Sequence, residues 1–257
     1  MSQSSPTGIS SRLGAGMKGP AKSVTAEGQW SEGLQKTRLY EQILLDIILG
    51  ELPPMSVLDE KALAAAYHGG VSGVREALGR LALEGLVVRR PRVGTMVAPL
   101  DVREIEQAFE VRHMLEARTA GLAARNATAE QIAAIAGAFD DAEAAIERAD
   151  FRAMLAMDRQ FHRAVATATG NATLARFIIS LQNVATRFWI WEMEKQTSAA
   201  QLHDVALHRA VATQIAARDP AAAEAAAAKL VGEPPSSYRG HDPNVPGDFG
   251  RPQKAAQ

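Results

Sequence analysis

Val71-Ser72-Gly73-Val74-Arg75-Glu76-Ala77-Leu78, running on to Glu84-Gly85-Leu86-Val87-Val88-Arg89-Arg90, decides how the first half of this chain is read. Val74, Ala77, Leu78, Leu81 and Ala82 form a helical stripe that ends at Gly85. Two short alternating strands follow, Leu86-Val87-Val88 and Thr95-Met96-Val97, around Arg89-Arg90-Pro91-Arg92-Val93-Gly94. Upstream, Leu39, Ile43 and Ile47 with Leu44 and Ile48 repeat at helical spacing from Leu34 to Leu49. Gly50 stops that helix and Pro53-Pro54 keeps it from restarting. Asp59 is placed to cap a second helix through Lys61 and Tyr67. His68-Gly69-Gly70 reads as a corner where glycine takes a positive φ, and Ser72 as the cap of the third helix. Three helices and a basic hairpin predict a winged helix-turn-helix, which sets its third helix in a DNA major groove.

The third helix presents Ser72, Arg75 and Arg80 away from its apolar stripe. A helix N-terminus attracts phosphate, and an arginine one turn in can reach guanine edges. The wing suits the minor groove or flanking phosphates. Residues 72–98 hold five Arg against two Glu, a local positive excess. Arginines alone would equally describe a solvated helix face; their order within three helices and a wing is what favours DNA.

Leu39-Tyr40-Glu41-Gln42-Ile43, Gly50-Glu51-Leu52-Pro53-Pro54, Val74-Arg75-Glu76-Ala77-Leu78 and Glu84-Gly85-Leu86-Val87 together resemble the N-terminal domain of GntR-family transcription regulators. The resemblance implies DNA contacts at Lys61, Ser72 and Arg75, and a wing contact around Arg90, Arg92 and Gly94. The chain departs from the family pattern in two places. Pro54-Met55 stands where the family usually has Pro-Gly, and Val71-Ser72-Gly73 where it has an Arg-Thr-Pro run.

The 257 residues carry a formal net charge of −1, so the positive charge is local to the hairpin region. The absence of cysteine excludes disulfides, thiolate metal sites and thiol catalysis. No apolar run reaches the ~20 residues that span a bilayer, and the expected location is cytoplasmic. Residues 1–33 read as a disordered tail, 34–99 as the winged domain, 100–231 as a helical domain and 232–257 as a disordered or altered tail.

Beyond Ala98-Pro99-Leu100-Asp101 the strand signals cease and an alanine-rich helical pattern continues to about residue 230. Six segments are expected, opening at Asp101, Thr128, Asp150, Asn171, Ser198 and Asp219-Pro220. Residues 101–230 carry 14 Lys and Arg against 17 Asp and Glu, which argues against a second DNA-binding surface. Long helices with short connections predict an antiparallel bundle, so the fold class is mainly α.

Phe151, Leu155, Asp158, His162 and Val165 share one helical face, and Val205, His208, Ala212 and Ile215 another. Asp158, His162 and His208 therefore point where core residues point. They form a ligand set that zinc, nickel or manganese accepts, and equally an ordinary buried Asp–His hydrogen bond with a core histidine. Arg112 beside Phe109, Leu115 and Glu116 offers a fork to a carboxylate, as do Asn183 and Arg187 at helical i, i+4 spacing. Each of these could instead be a surface ion pair or a bridge between helices. Trp189 and Trp191 read as core or dimer contacts.

Asp158-Arg159-Gln160-Phe161-His162-Arg163, Gly170-Asn171-Ala172-Thr173-Leu174, and His208-Arg209-Ala210-Val211 with Arg218-Asp219 resemble the FCD-type effector domain of the FadR branch of that family, closer to its VanR subgroup in helix count. Glu110-Val111-Arg112 resembles its opening. The resemblance implies a divalent metal held by one Asp and three His, and a small organic acid as effector. Asp158, His162 and His208 match three of those positions; the fourth, on the last helix, is Lys229-Leu230 here. Lys229 could instead supply a cation near Asp158. The expected protein is a homodimer on a pseudo-palindromic double-stranded operator, and the resemblance makes it a repressor rather than an enzyme. The competing readings are a helical-bundle metalloenzyme using Asp158, His162 and His208, and a DNA-binding dimer with a vestigial effector pocket.

Overall fold

The computed structural model describes residues 26–193 and 196–232. Residues 1–25 and 233–257, most of the tails expected at 1–33 and 232–257, and the side chains of Trp189 and Trp191 lie outside the described residues. The N-terminal head contains α1 (Ala26–Ile48), α2 (Glu60–Ala66), α3 (Val71–Leu83), β1 (Val87–Arg90) and β2 (Gly94–Val97). The helical domain contains α4 (Val102–Asn126), α5 (Ala129–Ala136), a 3-10 turn at Gly137–Phe139, α6 (Ala142–Glu147), α7 (Phe151–Ala168), α8 (Ala172–Met193), α9 (Ser198–Ala216) and α10 (Pro220–Val231).

The head closes on the stripe read from the sequence. Leu39, Ile43, Leu44 and Ile47 of α1 are buried with Val74, Ala77, Leu78 and Leu81 of α3, and Leu86, Val87 and Val97 of the wing join them. The hairpin pairs Val87 with Val97 and Arg90 with Gly94, and a single bridge from Val57 to Met96 adds to its edge. Asp59 caps α2, its carboxylate accepting from the Ala62 amide at 2.7 Å.

Local details differ from expectation. Residues 26–33, assigned to the tail, belong to α1. The cap of α3 is Gly70; Ser72 lies inside the first turn and makes no cap. A cap needs extended backbone, which Gly70 adopts (ψ 146°). In the corner before α3 the positive φ falls on His68 (51°) and not on the two glycines. Gly69 and Gly73 serve another purpose: a Cβ at either would lie within 2.8 Å of the Leu39 side chain, so their bareness lets α1 pack onto the corner.

The bundle is built on alanine. Ala120, Ala123 and Ala124 of α4 are buried with Ala223 and Ala227 of α10, which lies along α4 and α9. α4 also packs against α7 and α8. The caps are strong: Thr128 and Gln131 form a reciprocal capping box, and Asp101, Asp150 and Asp219 each accept from a first-turn amide. The expected single helix from Thr128 to Arg148 is broken into α5, the 3-10 turn and α6, and α9 takes its cap from Thr197 rather than Ser198.

The Pro-Pro-Met turn carries backbone strain. Met55, where the family pattern has glycine, sits at φ 66°, with its amide on the Val97 carbonyl at 3.1 Å and its side chain 43 % exposed. A side chain in the left-handed region costs roughly 1 kcal/mol. Met55→Gly should therefore leave stability unchanged or raise it by up to about 1 kcal/mol, against the usual entropic loss of a Gly substitution. Chemical denaturation checks this, and a loss of more than about 1 kcal/mol would mean that the side chain contributes packing its exposure does not suggest.

Candidate functional site

Inside the bundle, four helices each contribute to one charged cluster. α7 supplies Asp158 and His162, one helical turn apart, both buried by the amphipathic face they share with Leu155 and Val165. α9 brings in His208, 2 % exposed, whose Nε2 lies 3.4 Å from Asp158 Oδ1. His162 Nε2 is 3.6 Å from the same oxygen. α8 contributes Gln182, which donates to Asp158 Oδ2 at 2.9 Å. From α4, Glu116 Oε2 lies 3.0 Å from His162 Nδ1, and Arg112 Nε donates to the other Glu116 oxygen at 2.5 Å. Phe139 and Phe161 cover the histidine rings.

The electrostatics follow from burial set against neighbours. Burial alone would drive each group neutral. For His162, the Glu116 and Asp158 carboxylates outweigh burial and hold the ring up at about 9. For Glu116, burial is outweighed by Arg112 and His162, which bring it down to about 2. Burial also opposes the Asp158 charge, but the His162 and His208 rings beside it keep its carboxyl well below the usual range. Asp204, beside His208, goes the other way: burial and the nearby Asp158 charge raise it.

The donor set fits a cation. His208 Nδ1 faces the Asp204 backbone carbonyl at 2.9 Å, which orients the ring. Its Nε2 is buried, 3.4 Å from Asp158 Oδ1, and without a hydrogen-bond partner among the described residues. Asp158, His162 and His208 offer ligand atoms within 4.8 Å of one another. Glu116 behind His162 and Asp204 behind His208 are the outer carbonyl and carboxylate partners that metal-bound imidazoles commonly have. At the fourth-ligand position, Leu230 lies half-buried against His162 and Glu116, beside a gap of about 10 Å³. Lys229 is exposed on α10: the helix turns its ammonium to solvent, not to Asp158.

The proposed carboxylate ligands separate in space. Arg112 belongs to the cluster. Asn183, 1 % exposed, faces the head: it accepts from Arg159 Nη1 at 2.5 Å and donates to Glu84 Oε2 at 2.8 Å and to the Tyr40 hydroxyl at 3.2 Å. Arg187 faces the linker and donates to the Ala98 carbonyl at 2.8 Å. Sequence reading missed Glu116's pairing, Gln182, and the whole seam between head and bundle. There Glu41 of α1 receives Arg159 at 2.9 Å and Arg163 at 2.8 Å, and Tyr40 donates to Glu84 at 2.7 Å. The signal was adjacency: Arg159 follows Asp158, and Asn183 follows Gln182.

On the head, Lys61, Ser72 and Arg75 are exposed together on α2 and α3, and Arg90, Arg92 and Gly94 are exposed on the wing. Arg75 is braced by Glu60, with Nη2 2.7 Å from its carboxylate. Arg80 lies with its guanidinium 3.8 Å over the Tyr40 ring, at the seam end of α3. Among the described residues, no helix is long and apolar enough to cross a membrane.

Two family models match the chain, "Bacterial regulatory proteins, gntR family" over residues 35–97 and "FCD domain" over 107–233. The HTH-type transcriptional regulator LutR of Bacillus subtilis is 31 % identical over 198 residues, 69 % of this chain and 89 % of that protein. The HTH-type transcriptional repressor GlaR of Escherichia coli is 28 % identical over 195 residues, 72 % of this chain and 86 % of that protein. Among solved structures, E. coli McbR/YncC has the same fold, with a TM-score of 0.68 at 20 % identity over 77 % of this chain and 93 % of that one.

The charge pattern makes a pH prediction for metal-free protein. A histidine raised from 6.5 to about 9 contributes stability that is whole below 6.5 and lost as pH rises through 9. Glu116, lowered from 4.5 to about 2, contributes stability that is whole above 4.5 and lost as pH falls through 2. Urea midpoints of chelator-treated protein should therefore fall between pH 6.5 and 9, and this fall should be much smaller in His162→Gln. Stability that rises over that range in wild type would refute a charged His162 between the two carboxylates.

Proposed function

Since the chain belongs to the gntR family of bacterial regulatory proteins and carries its FCD domain, it is a DNA-binding transcription regulator and not an enzyme, and we propose that it is a homodimeric repressor controlled by a small carboxylate metabolite in the helical domain. GlaR is named as a repressor, and that polarity is transferred here as part of the proposal. Two heads related by a two-fold axis would read a pseudo-palindromic operator, because one head makes too few base contacts. Lys61, Ser72 and Arg75 would approach the major groove, and Arg90, Arg92 and Gly94 the flanking groove and phosphates. Arg80, engaged on Tyr40, is a DNA ligand only if it leaves that ring. The cytoplasm is the compartment that such a role requires.

Asp158, His162 and His208 would hold a divalent metal, zinc, nickel or manganese, which supplies a positive centre for the effector carboxylate. Arg112 would steer that carboxylate: its Nε is taken by Glu116, but no hydrogen bond engages its Nη groups among the described residues. Asn183, expected as an effector ligand, is engaged by Tyr40 and Glu84 of the head, and Arg187 stands apart from the metal cluster, donating to the Ala98 carbonyl. The metalloenzyme reading loses to the family, whose members matched here are named as regulators.

The observation that carries control by the bundle is the back-to-back arrangement of α7 and α8. Asp158 and Gln182 meet inside the bundle at 2.9 Å, and their successors Arg159 and Asn183 meet at the seam at 2.5 Å. Successive residues on a helix point about 100° apart, so a shift of α7 against α8 felt inside is felt outside as well. Glu41, Tyr40 and Glu84 of the head are joined to that outer pair.

Selection of bound duplexes from a random pool should enrich a short palindrome with wild type and lose it with Arg75→Ala. Well-folded wild type that enriches nothing would end the regulator mechanism described here. On the selected operator, zinc should change the affinity of wild type, and Arg159→Ala should bind the operator while losing most of that zinc response. A zinc response equal in both proteins would remove Arg159 from the coupling.

A further inference from the structure

Where the linker passes from head to bundle, one buried charge has no ion-pair partner among the described residues. Arg187 of α8 is 7 % exposed, and among the described residues its hydrogen bonding stops at the Ala98 carbonyl, a neutral acceptor. Among the described residues, the other two buried arginines are each paired, Arg112 with Glu116 and Arg159 with Glu41. No carboxylate of the described residues comes within ion-pair distance of Arg187. Burial lowers its guanidinium to about 10, and the field of Glu104 offsets this only in part. A buried cation without a counter-charge is strongly unfavourable, and an arginine fork is the side chain best shaped for a carboxylate.

The guanidinium borders a cavity of about 330 Å³ between α4 and α8, whose walls are largely apolar: Ile105, Ala108 and Val111 on one side, Leu181 and Val184 on the other. That volume is at the lower end for small-molecule sites. Asp101 and Glu104 stand at the mouth, both exposed, and Asp101 is already engaged on the Arg103 amide at 2.8 Å. Solvent screens these two carboxylates far more than burial allows for Arg187, yet they oppose a second negative charge entering behind the first.

We propose that this cavity is a binding site for a monocarboxylate with an apolar body, its carboxylate paired with Arg187 and its hydrocarbon laid between α4 and α8. The acidic mouth selects against dicarboxylates. Arg187 already ties α8 to Ala98, the residue after β2, so the ligand would share one side chain with the hinge between head and bundle. The site is separate from the Asp158 cluster and does not rest on metal binding there.

Calorimetric and thermal-shift titration of the full chain with hexanoate, adipate and hexanol tests the proposal. Hexanoate should bind saturably and raise the melting midpoint, with adipate and hexanol roughly tenfold weaker or more. Arg187→Leu should weaken hexanoate by roughly tenfold or more, while the unliganded variant melts at the wild-type temperature or above it, because the unpaired charge is gone. Arg187→Lys should recover part of the binding. Asp158→Asn, which disables the cluster, should leave hexanoate binding intact, so failure of the metal and effector reading is told apart from failure here. The proposal is overturned if wild type does not respond to hexanoate, or if Arg187→Leu responds equally. It is overturned too if Arg187→Leu separates the protein into monomers by sedimentation, which would assign the missing counter-charge to a second copy.

Discussion

The Asp158 carboxylate has to be buried in its charged form, and the packing of the bundle follows from how that is achieved. Its side chain is 10 % exposed, in surroundings where an unpartnered carboxylate would rather take up a proton. Gln182 satisfies one oxygen, and His162 and His208 converge on the other. The charged His162 then needs Glu116, and Glu116 needs Arg112, so that negative and positive groups alternate from Asp158 out to α4. With Gln182 and His208, these contacts draw on four helices. α4, α7, α8 and α9 are thereby held in one register by polar contacts, which apolar alanine faces alone would specify poorly. Breaking one member strands the next, and this is why buried charge networks specify geometry more than they add stability.

A second consequence concerns the head. On α7 and α8, residues adjacent to the buried pair cannot also face inward, because the helix rotates them away. Arg159 and Asn183 therefore emerge together at the surface that α1 and the end of α3 cover. Tyr40 gathers this seam: its hydroxyl donates to Glu84, its ring carries Arg80, and Asn183 donates to its oxygen. Burial and Glu84 raise the Tyr40 hydroxyl well above its usual range, so it stays a donor throughout the neutral range. The third helix of the head is thus tied at its C-terminal end to the helical domain, while its N-terminal end, with Ser72 and Arg75, is left facing solvent.

Much of this was legible in the sequence because it is periodic. The stripes of α1 and α3, the caps at Asp59, Asp101, Thr128, Asp150 and Asp219, and the inward turn of Asp158, His162 and His208 all follow from helical spacing. The seam was not legible, because Glu41–Arg159 joins residues 118 positions apart and depends on how two domains dock. Single-residue backbone choices also escaped. Positive φ was expected of a glycine in the corner before α3, but His68 takes it, and the glycines are kept bare for Leu39. Lys229 and Leu230 could not be told apart as neighbours of the cluster, since one residue of rotation decides which of them turns inward.

Among the described residues, three buried arginines separate what is complete in this fold from what is not. Arg112 and Arg159 sit as deeply as Arg187, yet each has a carboxylate from another turn or another domain. The chain therefore provides counter-charges where the fold itself needs them. At Arg187 it provides a backbone carbonyl, a largely apolar cavity, and acidic residues held back at the rim. If Arg187 served only to fasten Ala98 to α8, a neutral donor would do so without the cost of burying a charge. A guanidinium retained at that position is better explained by an anion that comes and goes than by the linker it touches.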